Sequence, residues 1–503
     1  MSNRIKVLFL SSEVTPFAKS GGLADVAGAL PLSLKRLKVD VRIAMPFYRA
    51  VMEGNFKKRV LIKDLVVPLG AEKLNTNIYE TLLEDIPVYL IERDDMYDRP
   101  YLYGNKRGDF YDNIERFCFF CNSALRLSED LDFTPDIIHC NDWQTGIVPA
   151  LLKGPYRTSR SLFSSSSLFT IHNMGYQGIF PREKLPVTGL PEAGFFHPEG
   201  LEYWGKISLL KAGIVYSDAI TTVSPTYAME IQTPEYGMGM EGILRERSSS
   251  LYGILNGVDY NEWDPSRDSH LAFCYSKKSI SGKTQCKEAL IKEMGLDPSI
   301  NNLPLLGLVS RLDNQKGLDI LVKIMDNILN LDVGMVILGS GDEGIENAIR
   351  KAADHHKGRM AIYIGFNEPL AHRIMAGIDL ILIPSRYEPC GLTQMYALRY
   401  GTIPLVRATG GLNDTIEPFD DKTLKGNGFK FGPYDTKALL EQLELAIRIF
   451  RDKKVWKKLM ANGMSIDFSW DISAKAYIDL YRSIMKKSVN RISSSLNANY
   501  TSY

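Results

Sequence analysis

The chain has 503 residues, 45% hydrophobic, 24% charged and 10% aromatic, with 60 Lys+Arg set against 59 Asp+Glu. That is an ordinary globular composition, long enough for about two to four domains with cores of their own, and it excludes disulfide-held and disordered classes. A formal net charge of +1 lacks the basic field of a nucleic-acid binder or a polybasic membrane-surface protein, so neither is expected as a partner.

Six cysteines (Cys118, Cys121, Cys140, Cys274, Cys286, Cys390) are too sparse for a disulfide framework and lack the paired spacing of a zinc site. A reducing, cytoplasmic setting is the expectation. Cys118 and Cys121 form a C-x-x-C inside an apolar, helix-like run, which reads as buried thiols and not as a redox pair. At the N-terminus only Val7-Leu8-Phe9-Leu10 is continuously apolar, and no window reaches the ~18 apolar residues of a membrane span.

In chain order, an apolar strand at Lys6–Leu10 is followed by a helix over 23–37. Further short apolar runs at 39–46, 87–92, 137–139, 167–173 and 219–224 read as buried parallel strands. A polar stretch over 260–268 and a charged region up to 292 mark a boundary. A second series then begins, with strands at 303–311, 335–339, 360–365, 380–384 and 403–407, a last helix at 474–485, and a Ser/Asn-rich tail over 488–503 read as disordered. The expected organisation is therefore α/β, with two facing Rossmann-like, doubly wound domains. The N-terminal domain spans 1–259, the C-terminal domain 260–470, and a helix over 471–487 returns to the first domain. Ligands of such folds bind at the carboxyl ends of the strands, which here implies an interdomain cleft.

The strand ends carry the chemistry. Directly after the first strand, Lys19-Ser20-Gly21-Gly22-Leu23 is a glycine turn preceded by a lysine and opening a helix. Its amides and ammonium suit a phosphoryl or diphosphate group, although a plain tight turn fits equally. Ser310-Arg311-Leu312-Asp313-Asn314-Gln315-Lys316-Gly317 places two cations at one strand end, able to neutralise a departing diphosphate without metal. Ser385 to Gln394 packs Arg386, Glu388 and Cys390 into ten residues after another strand, and Ala408 to Asp414 repeats the glycine turn. Asp142-Trp143 and His172-Asn173 form the opposing wall. A lone His or Trp is more often core packing, but six strand-end clusters argue together. Asp130-Leu131-Asp132 reads as surface, and no metal is expected.

Taken with the long motifs KSGGLADV (19–26), HCNDWQTG (139–146), FTIHNMGYQG (169–178), ILNGVD (254–259), SRLDNQKG (310–317) and EPCGLTQ (388–394), the sequence resembles the bacterial glycogen synthase and plant starch synthase family. The resemblance runs from Lys6 to about Arg482. It implies a type B glycosyltransferase architecture and transfer of glucose from ADP-glucose to the non-reducing end of an α-1,4-glucan (glycogen or a maltooligosaccharide), with retention and without cofactor or metal. Lys19, Gly22, Arg311 and Lys316 would hold the diphosphate. Glu388 would sit near the glucose ring, with Asp142, His172 and Asn173 closing its other side. Cys390, Gly391, Leu392 and Thr393 would cover the donor, and Phe366 after Gly365 would face the adenine. Asp25, Asn256 and Gln315 complete the implied donor-binding set. Two departures from the wider retaining pattern are visible. Tyr396 stands where a second Glu is usual, which removes a two-carboxylate mechanism from this motif, and Phe366 replaces a tyrosine.

Other readings use the same residues differently. A nucleotide-sugar 2-epimerase, a UDP-glucose-dependent transferase or a phosphorylase would also need a cationic phosphate site. A phosphorylase would further require a Schiff-base lysine and a longer chain. A catalytically idle glucan-binding protein would have no use for Lys19, Arg311, Lys316 and Glu388 together. Because the expected diphosphate ligands come from both domains, closure about hinges near 258–264 and before Ala474 is expected. Oligomeric state is not legible.

Overall fold

The computed structural model describes the backbone of residues 4–105 and 107–500 and the side chains of these residues as far as Lys486. The chain divides into two compact units, one made of 1–223, 228–257 and 470–503, the other of 224–227 and 258–469. The change of unit falls at Gly257/Val258, and the short segment Ser224–Tyr227, which the sequence assigns to the first domain, belongs to the second unit.

The first unit is built on a nine-stranded sheet. Seven parallel strands run in the order Leu251–Gly253, Ala219–Thr222, Ser166–Ile171, Ile137–Asn141, Lys6–Leu10, Asp40–Pro46, Ile86–Ile91. Ser166–Ile171 and Ile137–Asn141 are buried throughout and Lys6–Leu10 beyond its first residue, as expected of strands with helices on both faces. Two long strands, Arg59–Leu69 and Glu72–Leu83, continue the sheet antiparallel. They escape a search for continuous apolar runs because Arg59, Lys63 and Asp64 in one and Glu72, Lys73 and Glu80 in the other interrupt their apolar residues, as on an edge hairpin partly exposed to solvent. A small antiparallel sheet of Ile179–Pro181, Lys206–Ser208 and Glu202–Tyr203 was equally unexpected. The strand order reverses between Lys6–Leu10 and Ile137–Asn141, so a switch point opens at their carboxyl ends.

The second unit holds six parallel strands in the order Met360–Ile364, Gly334–Gly339, Leu305–Val309, Leu380–Ile383, Ile403–Arg407, Phe429–Phe431. Its core packs Leu306, Leu308, Ile337, Leu380, Leu382 and Leu405 of the sheet against Leu321, Ile328, Leu439 and Leu443 of the helices. Here the order reverses between Leu305–Val309 and Leu380–Ile383.

The last helix, Trp470–Tyr500, extends well past the expected 485. The tail read as disordered is helical in its backbone to Tyr500, while 501–503 lie outside the described residues. No Gly or Pro interrupts 470–500, and each added residue of an established helix gains a hydrogen bond. The helix belongs to the first unit, where Tyr481 Oη lies 2.8 Å from His139 Nδ1 and Thr170 Oγ1 2.7 Å from His139 Nε2. Burial pushes the His139 pKa down to about 3, so this anchor is neutral. Cys118 and Cys121 lie buried in the helix Asn113–Asp130, their thiols pushed up by burial, whereas Asp130 and Asp132 are exposed. Among the described residues no helix is long and apolar enough to cross a membrane.

Candidate active site

In the first unit the switch point gathers three loops. The turn after Lys6–Leu10 is organised by Glu13, a buried carboxylate that the motif reading missed. Its Oε2 accepts from the amides of Ser20 and Gly21, the latter at 3.3 Å, and its Oε1 from Ser20 Oγ and Tyr103 Oη, each at 3.1 Å. Burial pushes its pKa up while these donors pull it back. The amides of Ser20 and Gly21 therefore turn inward to Glu13, which corrects the expectation of a turn whose amides all await an anion. Gly21 and Gly22 do leave open space where a Cβ would stand. The Lys19 ammonium rests 2.8 Å from Asp25 Oδ1, so Asp25, expected at the donor, here holds the lysine.

Asp142 follows Ile137–Asn141 with φ +54, a left-handed conformation that costs a non-glycine residue about 1–3 kcal/mol and concentrates at functional positions. Its Oδ1 accepts from His172 N at 2.7 Å. Burial pushes its pKa up to about 7, against the amides of His172 and Asn173. The imidazole of His172, 2.9 Å from Asn141 Oδ1, is pushed down to about 3 by the same burial and is neutral at pH 7. Asn173 follows it and accepts from Gly175 N through Oδ1 at 2.8 Å. Asn256 is buried with its Oδ1 unsatisfied among the described residues.

The raised Asp142 carboxyl makes stability fall with pH. The native state binds its proton more tightly than the unfolded chain does, so the stabilisation is full below about pH 4 and is lost as pH rises through about 7. Asp142→Asn is expected to remove this slope, worth at most about 4 kcal/mol across that window. Urea unfolding at pH 4.5 and 7.5 checks it, and equal slopes in both proteins would contradict the assignment.

In the second unit, Leu305–Val309 leads through Ser310 and Arg311 to a single turn, Asn314–Lys316, capped by Asp313, which accepts from Lys316 N at 3.0 Å. Arg311 is held by Asp313 Oδ2 at 3.2 Å and donates to Gln315 Oε1 at 3.0 Å, so Gln315 acts through the guanidinium in this arrangement. Lys316 Nζ lies 2.6 Å from Glu388 Oε2, which also accepts from Ser385 Oγ at 3.0 Å. Glu388 is 7% exposed, and these residues line one pocket with Gly391, Leu392 and Thr393 at the strand-order reversal. Cys390 is buried, and the carbonyls of Cys390 and Gly391 accept from Gln394 Nε2 at 3.1 and 2.8 Å. The Ala408–Asp414 glycine turn serves packing: a Cβ on Gly410 would meet Glu388 O at 1.9 Å, and one on Gly411 would meet Cys390 O at 2.0 Å. Close backbone approach explains these glycines. Phe366, after Gly365 (φ +140), is 82% exposed.

Tyr396 has a structural occupation. Its ring stacks on Trp263 at 3.9 Å, and His372 stacks on Trp263 at 3.8 Å, while Asp268 takes His372 Nδ1 at 2.8 Å and Tyr400 Oη at 2.6 Å. An aromatic stack stands where a second carboxylate would have been. Ser224 Oγ donates to Pro389 O at 2.6 Å, and Thr226 donates to Asp414 through N and Oγ1 at 2.9 and 2.7 Å. Sequence reasoning missed these supports because hydroxyls in a loop carry no spacing signal. Among the described residues no three His, Cys, Asp or Glu side chains converge as metal ligands.

Two doubly wound units of Rossmann-like class thus carry an acid–cation pair at one switch point and a strained, buried aspartate at the other. Residues 6–246 match the family described as the starch synthase catalytic domain, and 297–459 match glycosyl transferases group 1. The glycogen synthase of Geotalea daltonii is 46% identical over 483 residues, 96% of this chain and 99% of its own. That of Desulforudis audaxviator is 45% identical over 498 residues, covering 96% and 97%. The catalytic domain of starch synthase IV from Arabidopsis thaliana, bound to ADP and acarbose, superposes with TM-score 0.89 at 34% identity, covering 96% of this chain and 100% of that one. A sucrose-phosphate synthase at 18% identity and TM-score 0.59 shares the fold. The chain belongs to the glycogen and starch synthase family of glucosyltransferases.

Proposed function

We propose that this glucosyltransferase uses ADP-glucose and extends an α-1,4-glucan at its non-reducing end with retention of configuration, without metal. The observation that carries the proposal is the pairing of Lys316 with a nearly buried Glu388 at the strand-order reversal of the second unit, with Arg311 braced beside it. In this reading Lys316, mostly buried, and the more exposed Arg311 take the negative charge that develops as the diphosphate leaves. Glu388 orients the lysine and accepts from the glucose hydroxyls. Both of its contacts fall on Oε2, and Oε1 has none among the described residues. Gly391, Leu392 and Thr393 cover the sugar, Gly365 and Phe366 meet the base, and Gln315 positions Arg311. Lys19, Gly22, Asp142, His172, Asn173 and Asn256 of the first unit serve the donor phosphate, the sugar and the acceptor, with Asp25 holding Lys19. The starch synthase IV relative, bound to ADP and acarbose, supports a nucleotide-plus-glucan reading.

The test is transfer of labelled glucose to glycogen from ADP-glucose and from UDP-glucose side by side. A kcat/KM at least about tenfold higher with ADP-glucose is expected, a difference of ~1.4 kcal/mol in transition-state binding. Equal or reversed preference would replace the ADP assignment with a UDP-glucose-dependent transferase.

A further inference from the structure

The hairpin joining Glu202–Tyr203 to Lys206–Ser208 turns through Trp204 and Gly205, with φ +52 and +76. A two-residue turn with both φ positive favours Asn-Gly or Asp-Gly, because a bulky side chain in the left-handed region is strained. Here the first position holds tryptophan, and its side chain is 85% exposed. Neither turn geometry nor burial accounts for the residue. Such strain persists where a function needs it.

The surroundings repeat the pattern. Met238, also exposed, has φ +50. Its carbonyl accepts from Tyr203 Oη at 3.2 Å and from Gln177 Nε2 at 3.0 Å, which ties the hairpin to the loop that carries Tyr176, a ring 53% exposed. That loop leaves His172 and Asn173 directly: Tyr176 N donates to Asn173 O at 3.3 Å, and Ser208 Oγ, behind the hairpin, donates to Gln177 O at 3.1 Å. A continuous hydrogen-bonded surface therefore runs from the sugar-side motif through Tyr176 and Gln177 to Trp204. Besides Tyr176 and Trp204, Ile179 and Met238 are exposed on it, and Gln177, Glu202 and Lys206 supply polar groups among them.

We infer that Tyr176 and Trp204 form an outer acceptor subsite, which takes the stretch of an α-glucan lying several sugars away from the reacting end. The inference rests on the glucan-synthase reading above. A pyranose offers an apolar C–H face to an indole or phenol ring and hydroxyls to amide, carboxylate and ammonium groups, and this surface presents both kinds of partner. Only a long chain can reach the subsite while its end is at the reaction centre, so it favours polymer over short acceptors.

The experiment compares the full-length protein with Trp204→Ala, Trp204→Asn and, as a control, Phe163→Ala, another exposed ring. Migration through glycogen-containing native gels measures binding without any donor, and transfer to maltotriose and to glycogen measures turnover. Both Trp204 variants are expected to bind glycogen about five- to tenfold more weakly, with a matching rise in KM for glycogen. Turnover on maltotriose should be unchanged. Trp204→Asn, which suits the turn, should keep or raise Tm, and Phe163→Ala should behave as wild type. Unchanged glycogen binding by both Trp204 variants overturns the proposal. So does an equal loss on both acceptors, or a wild-type self-association that the variants lack with glycogen binding intact. If the wild-type protein transfers to neither acceptor, the synthase reading fails while the binding gels still decide on the subsite.

Discussion

Lys316→Ala is expected to lower kcat by several hundredfold, about 3 to 4 kcal/mol of transition-state stabilisation. The ammonium is one of two cations at the carboxyl end of Leu305–Val309, and it is fixed 2.6 Å from a carboxylate whose side chain is 9% exposed. A charge held in place before the reaction needs no reorganisation as the diphosphate departs. Removing it costs the leaving group a counter-charge and leaves Glu388 with Ser385 Oγ as its remaining partner among the described residues. Lys316→Arg restores charge but replaces a compact ammonium by a planar fork, so rescue should be partial. KM for glycogen should hardly move, because the lysine is assigned to the donor. Steady-state kinetics on both substrates check this, and full activity in Lys316→Ala would remove the lysine from the mechanism.

Glu388→Ala should lose activity on the order of a thousandfold, since one substitution removes the proposed sugar contact and the orientation of Lys316 together. The manner of loss separates two routes. A double displacement needs a carboxylate beneath the anomeric carbon, and in that case a small nucleophile such as azide restores turnover to the alanine variant. The account here is a front-face route in which the departing diphosphate accepts the proton of the acceptor hydroxyl, and the carbonyl of His172 faces the positive charge on the ring. Azide should then give no rescue, and a 2-fluoro donor should leave no glucose adduct in the intact mass of the wild-type protein. An adduct on Glu388 or Asp142 would establish the covalent route instead.

Much of this was legible before any coordinates, for a physical reason. Parallel strands buried on both faces are continuous apolar runs, so Lys6–Leu10, Ile137–Asn141 and Leu380–Ile383 stand out, and the residues just after them fall at the ligand end of the sheet. The antiparallel pair Arg59–Leu69 and Glu72–Leu83 did not stand out, because its alternation is broken by charges and by two register shifts. Within the site, charged residues in strand-end motifs were visible, whereas their partners were not. Nothing in a linear motif says that Glu13 consumes the amides of Ser20 and Gly21, that Asp25 faces Lys19, or that Gly410 and Gly411 are small to admit the backbone of Glu388 to Cys390. Those relations depend on loops meeting across the fold. Trp204 was passed over for a related reason: its turn conformation, and not its neighbours in sequence, makes it anomalous.

The central claim is that side-chain cations, braced by carboxylates, activate a nucleoside diphosphate sugar for transfer to glucan. Its most direct measurement is the initial rate of label transfer from ADP-glucose to glycogen by protein dialysed against EDTA and assayed with EDTA present. The account predicts the same rate as with added Mg²⁺, and the same loss in Lys316→Ala under both conditions. Abolition of transfer by the chelator, with recovery on adding back the metal, would contradict it.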